Sequence, residues 1–197
     1  MIFNKLIPFY LILLGGFLSG GSPIRDATEK YIISQFDVDV SINMHTLKLD
    51  AKLKALVQNR VKQRFYRDEL YYWTISNNDT TIAYALMDNV LGKAMPITFL
   101  VILNNEGSIL ATEVIKYREA YGGEVGNKNW LAQFTNSTDT AQFKVGKNID
   151  GISGATISVN SLSKGIQKIA TLFPLIKDKL NQWKIFQKLN YINYPRE

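Results

Sequence analysis

Apolar and polar positions follow two periodicities that divide the chain into helical and extended stretches. From Pro23 to Phe36, residues Ile24, Ala27, Tyr31, Ile32 and Phe36 share one helical side, with Asp26 or Thr28 placed to cap it. Asp37 to Ile42 alternates polar with apolar and predicts a strand. Asp50 then stands as a cap before Leu53, Leu56, Val57, Val61 and Phe65, which predict a second helix to about Arg67. Tyr71 to Ile75 and Thr80 to Met87 predict two strands around the turn signal Asn77-Asn78-Asp79.

The β-branched and aromatic run Ile97 to Leu103 predicts a strand. Asn104-Asn105-Glu106-Gly107 turns the chain, and Ser108 to Tyr117 returns as the antiparallel partner. A glycine-rich loop spans Arg118 to Asn129, followed by a short helical turn at Trp130 to Phe134 and a short strand at Gln142 to Val145. Ser158 to Leu172 predicts a helix with Leu162, Ile166, Ile169 and Leu172 on one face, ended by Pro174. Leu175 to Leu189 predicts a further amphipathic helix, with Leu175, Ile176, Leu180, Trp183 and Phe186 apolar. The expected class is α+β: a mainly antiparallel sheet with flanking helices, in a single domain with helical N- and C-terminal additions.

Composition narrows the chemistry. The 197 residues contain no cysteine, which excludes disulfides, thiolate metal sites and iron–sulfur clusters. His45 is the one histidine, so a histidine metal cluster or a Ser-His-Asp triad has no support, and no metal ligands are assigned. The net charge is +6. Its densest basic stretch, Lys52 to Arg67, lies on a helix pattern without any nucleic-acid motif, so it reads as a solvated face and no nucleic-acid partner is expected.

The N-terminus bears on compartment. A basic start at Lys5, an apolar run from Leu6 to Leu18 and small residues Ser19 to Ser22 have the shape of a secretory signal. Residues 1–22 are therefore expected to be a signal peptide or a membrane anchor, placing the protein in the periplasm or on the outer face of the cell membrane. Cleavage near Gly21 or Ser22 is favoured, because the apolar run is shorter than the ~20 residues of a comfortable span.

The most informative segment is Asp150-Gly151-Ile152-Ser153-Gly154-Ala155-Thr156-Ile157-Ser158. It sets three hydroxyl side chains, two glycines and an alanine beside one carboxylate, just before a helix pattern. Such a turn lets an anionic group approach a hydroxyl closely, with main-chain N–H groups at the helix start to solvate its charge. The bare alternative is an ordinary loop in which Ser153 or Thr156 caps the next turn.

This segment resembles the attachment motif of the covalent FMN-binding domain family, Asp-x-x-Ser/Thr-Gly-Ala-Thr/Ser. The family includes the C subunit of Na⁺-translocating NADH:quinone reductase and the G subunit of the Rnf complex. The resemblance starts at Gly92-Lys93-Ala94-Met95-Pro96-Ile97 and continues through Tyr117-Arg118-Glu119-Ala120-Tyr121-Gly122-Gly123-Glu124-Val125 and Trp130-Leu131-Ala132-Gln133-Phe134. Relatives of the Rnf type carry Glu-Thr-Pro-Gly-Leu-Gly where this chain has Glu119-Ala120-Tyr121-Gly122-Gly123-Glu124, which suggests a small stand-alone branch.

The resemblance implies FMN held through a phosphoester to Thr156, in an exported electron-transfer flavoprotein. Ser153, Gly154, Ala155, Ile157 and Ser158 would surround the attachment point, and Asp150 would order the turn or serve the attaching enzyme. Glu119 and Tyr121 would meet the flavin ring beside Gly122, and Arg118 would face its phosphate or solvent. Trp130 and Phe134 read as core. Expected partners are a Mg²⁺-dependent flavin transferase that uses FAD, and a membrane or extracytoplasmic redox protein as electron donor or acceptor. An electron carrier is favoured over a substrate-turnover enzyme. The other readings are a flavin-dependent extracytoplasmic reductase and a non-redox exported ligand-binding module. On this organisation residues 23–90 form the N-terminal part of the domain, 91–173 the FMN-binding core, and 174–197 a helix and tail.

Overall fold

The computed structural model describes residues 22–193, with side chains described through residue 181. The expected signal or anchor, all but Ser22, lies outside the described residues, as do the side chains of Trp183 and Phe186. Helix α1 (Pro23–Ile33) leads into strand β1 (Ser41–Lys48), helix α2 (Ala51–Val61) and strands β2 (Glu69–Asn77), β3 (Thr80–Leu91), β4 (Pro96–Asn104) and β5 (Ile109–Lys116). A short helix α3 (Lys128–Leu131) and a long helix α4 (Thr156–Asn193) follow. The strands form one antiparallel sheet in the order β1-β2-β3-β4-β5, so the fold is α+β with residues on both sides of position 90 sharing the sheet.

Strand alternation sorts the core into two layers. Tyr84, Leu86 and Val90 of β3 point to the side where α4 contributes Val159, Leu162, Ile166, Ile169 and Phe173. Ala83 and Ala85 point to the opposite side, where Ile32 of α1 packs with Trp73, Ile75, Leu100 and Ile102. At Gly165 α4 lies close against the sheet. A methyl group there would stand 2.5 Å from Val90 Cγ1 and 2.9 Å from Phe99 Cζ.

Several boundaries differ from the sequence expectation. Ser22 occupies the cap position of α1, while Thr28 is buried inside the helix and bonds the Ile24 carbonyl at 2.7 Å. The first strand starts at Ser41 rather than Asp37, because its register is fixed by pairing with β2 from Ser41 opposite Ser76 to Lys48 opposite Glu69. Asp50 does cap α2, its carboxylate accepting from the Leu53 N–H at 2.7 Å, but the helix ends at Val61 with Lys62 left-handed. The expected strand at Gln142 to Val145 is only a single bridge between Val145 and Ile149.

Pro174 does not end its helix: α4 runs through it and is 38 residues long in all. Interior proline costs ~3 kcal/mol or more. Leu172, Phe173, Ile176 and Leu180 are all buried around it, and that burial holds the helix together across the missing N–H. Among the described residues no helix is long and apolar enough to cross a membrane.

Candidate functional site

The site forms where the chain leaves β5, where it enters β4, and where α4 begins. These three segments enclose a cavity of about 740 Å³, within the range of ~300–1,000 Å³ usual for small-molecule sites. Its walls are Lys93, Ala94 and Met95 before β4, Arg118 to Tyr121 after β5, and Gly154 to Ser158 at the head of α4.

The floor is set by Ala155, which is buried. The Ala155 carbonyl accepts the first helical bond of α4, from the Val159 N–H at 2.9 Å. The N–H groups of Thr156, Ile157 and Ser158 thus belong to the first turn, which has no intrahelical acceptors and carries the positive end of the helix dipole. Thr156 is exposed on this turn, and its hydroxyl makes no hydrogen bond among the described residues. Gly154 precedes the floor at φ +77°, and no atom lies within 4 Å of where its Cβ would stand. The backbone is therefore left-handed and bare beside Thr156, as close approach of an anionic group requires.

Glu119 joins two walls. Its Oε1 accepts from the N–H groups of Ala94 at 2.5 Å and Met95 at 3.0 Å. These bonds hold its carboxyl below the ordinary glutamate range, so it remains an anion. The Tyr117 hydroxyl stands 3.4 Å from Oε2, 2.5 Å from the Tyr121 carbonyl and 3.2 Å from Ser158 Oγ. Gly122, at φ +83°, fits beneath this loop: a Cβ there would meet Tyr117 Oη at 2.8 Å and Ala155 Cβ at 3.3 Å.

The loop carrying Asp150 is held from behind. Trp130 Nε1 donates to the Asp150 carbonyl at 2.8 Å, and the Asp150 N–H donates to Gln133 Oε1 at 2.8 Å. Trp130 and Phe134 are buried and stack edge to face, as expected of core residues.

Of the residues singled out in the sequence, Glu119, Tyr121, Gly154, Ala155, Thr156, Ile157 and Ser158 come together on the cavity wall. Tyr121 is 86% exposed, at the mouth rather than inside. Ser158 is buried and bonded to Tyr117. Ser153 and Asp150 are exposed and do not line the cavity, and Gly122 lies behind it against Ala155. Arg118 points neither wholly to the site nor to solvent: its Nη1 donates to the Pro96 carbonyl at 2.9 Å and Thr98 Oγ1 at 3.0 Å. Sequence reasoning assigned no role to Tyr117, Lys93, Ala94 or Met95. The signal for the last three was the Gly92-Lys93-Ala94-Met95-Pro96 turn, which supplies two adjacent main-chain donors to one carboxylate.

Comparison with known proteins agrees with this geometry. No curated protein matches the chain. Residues 92–171 match the family model described as the FMN-binding domain, a span running from the turn before β4 through the cavity walls into α4. The residues present suit such a ligand: helix N–H groups and Lys93 for a phosphate, and a partly apolar cavity of sufficient volume for a ring system. Residues 92–171, the span that carries all three cavity walls, are thus similar to the FMN-binding domain.

Proposed function

We propose that the protein is an exported electron-transfer flavoprotein whose FMN is attached by a phosphoester to Thr156. The observation that carries this reading is the position of that hydroxyl: exposed, without a hydrogen-bond partner among the described residues, on the first turn of α4 and on the wall of the 740 Å³ cavity. FMN would supply reversible electron uptake, and the chain's own residues hold and shield it. The first-turn N–H groups and Lys93 offset the phosphate charge. Glu119 keeps the two loops together, while Tyr121, Met95 and Ile157 cover the mouth with apolar surface.

Attachment requires a separate flavin transferase using FAD and Mg²⁺. The Thr156 Oγ–phosphorus bond forms as the pyrophosphate bond of FAD breaks, the hydroxyl proton is lost and AMP leaves. A tethered cofactor suits an extracytoplasmic location, where a freely dissociating flavin would be diluted away. The electron donor or acceptor would be a membrane or extracytoplasmic redox protein.

Intact-mass analysis under denaturing conditions, after co-expression with a flavin transferase, tests the assignment. The expected increment is one FMN less one water, absent from Thr156→Ala and present in Thr156→Ser. A wild-type chain without the increment, or an increment that survives Thr156→Ala, overturns it.

A further inference from the structure

A second cavity, of about 490 Å³, opens on the α1 side of the sheet at the N-terminal end of that helix. Met44, Tyr71, Trp73 and Met87 give it an apolar floor, and Arg25, Arg67 and Arg118 stand around it. The lining also contains two carboxylates. Asp88 is already matched by Lys168 at 2.8 Å, which leaves Glu69 as the opposing charge. Arg25 is engaged with Glu29 at 2.8 Å, so Arg67 and Arg118 are the cations free to act.

Arg118 is the distinctive group. Its Nη1 is fixed by the carbonyls of Pro96 and Lys116 and by Thr98 Oγ1, at 2.9, 3.4 and 3.0 Å. Its Nε and Nη2 have no acceptor among the described residues. Those two nitrogens form the side-on edge that grips a carboxylate or phosphate with two parallel bonds. Three acceptors on Nη1 hold the guanidinium plane still, so little side-chain entropy is lost when a ligand docks on the other edge. Arg118 also lines the flavin cavity, making it a wall common to both.

We propose that this second cavity binds a small amphipathic organic anion. Its acidic group is gripped by the Nε–Nη2 edge of Arg118 with Arg67 as a supporting charge, and its apolar body rests on Met44, Tyr71 and Met87. Binding there needs no flavin and is the same whether or not Thr156 carries one. With the flavin in place, the ligand lies one guanidinium away from the redox site, as suits a small electron acceptor or donor.

The methionines provide the test: Met44 and Met87 line the second cavity, and Met95 lines the flavin cavity. The full chain labelled with ¹³C at the methionine methyl groups is titrated with 2-naphthoate, and separately with neutral 2-naphthamide. The expected result is saturable movement of the Met44 and Met87 signals by the acid and a much weaker response to the amide. Arg118→Lys keeps the charge but removes the fork, and weakens binding about tenfold or more. Arg67→Gln, at an exposed position, leaves the ligand-free spectrum intact and weakens binding several-fold, which keeps the test valid if Arg118→Lys disturbs the fold. Still signals at Met44 and Met87 up to millimolar acid, movement of Met95 alone, equal response to the amide, or binding indifferent to both substitutions overturns the proposal. Failure of the flavin reading would show separately, as a Met95 signal unmoved by co-expression with the transferase.

Discussion

The Tyr117 hydroxyl lies 3.2 Å from Ser158 Oγ, tying the end of β5 to the first turn of α4 directly behind Thr156. Having one proton, Tyr117 gives it to the closest acceptor, the Tyr121 carbonyl at 2.5 Å, and accepts from Ser158. Burial raises its pKa and keeps that proton on at neutral pH. Tyr117→Phe removes both bonds and is expected to cost about 1–2 kcal/mol of stability. Because the freed loop forms a wall of the cavity, FMN loading should fall further than the melting temperature implies. Thermal melts and intact-mass loading on the same variant check this, with Ser158→Ala as the milder comparison.

Two left-handed glycines should behave differently. Gly154→Ala meets no neighbour, so its cost is confined to backbone strain, about 1–2 kcal/mol. Gly122→Ala adds a collision with Tyr117 Oη and Ala155 Cβ to the same strain, raising the cost by a further ~1–3 kcal/mol. Urea denaturation of the two variants is expected to rank Gly122→Ala as clearly the less stable.

Glu119 makes the cavity pH-sensitive in a defined direction. Bonds from the Ala94 and Met95 N–H groups lower its pKa below the ordinary value of 4.5. A carboxyl depressed on folding stabilises fully above its unfolded value, and that contribution is lost as pH falls through the lower folded value. The amide resonances of Ala94 and Met95 should titrate together with a midpoint under 4.5, while Glu119→Gln abolishes the titration.

Beneath the sheet, Lys168 is fully buried with its Nζ 2.8 Å from Asp88 Oδ2, and it also donates to the Arg64 carbonyl at 2.8 Å. Asp88 Oδ2 accepts no hydrogen bond among the described residues, so its contact with Lys168 is an ion pair. Lys168→Met leaves Asp88 charged and alone, at an expected cost of about 3–5 kcal/mol. Adding Asp88→Leu removes the stranded charge and should recover most of the loss. Chemical denaturation of the single and double variants measures the difference.

The sheet was largely legible in the sequence, because its turns carry their own chemistry. Asn78 and Asp79 adopt positive φ between β2 and β3, and Asn104 to Gly107 closes β4 onto β5. The continuation of α4 through Pro174 was not, since local propensity carries no record of the buried Phe173 and Ile176 that hold it. At the site, Thr156 and its neighbours could be read from one contiguous motif. The roles of Tyr117 and of the Ala94 and Met95 N–H groups could not, because they arise from main-chain bonds across 24 or more positions or from a hydroxyl contact spanning 41.

The absence of a side chain at Gly165 has a consequence well away from where it sits. It lets α4 settle onto Val90 and Phe99, and Thr156 rides on the same rigid rod about 13 Å further up, at 1.5 Å per residue. A single added methyl would jack the rod off its bed and displace the Thr156 hydroxyl from the opposing loops. Loss of cofactor loading with every cavity residue intact would be the mark of damage transmitted along that lever.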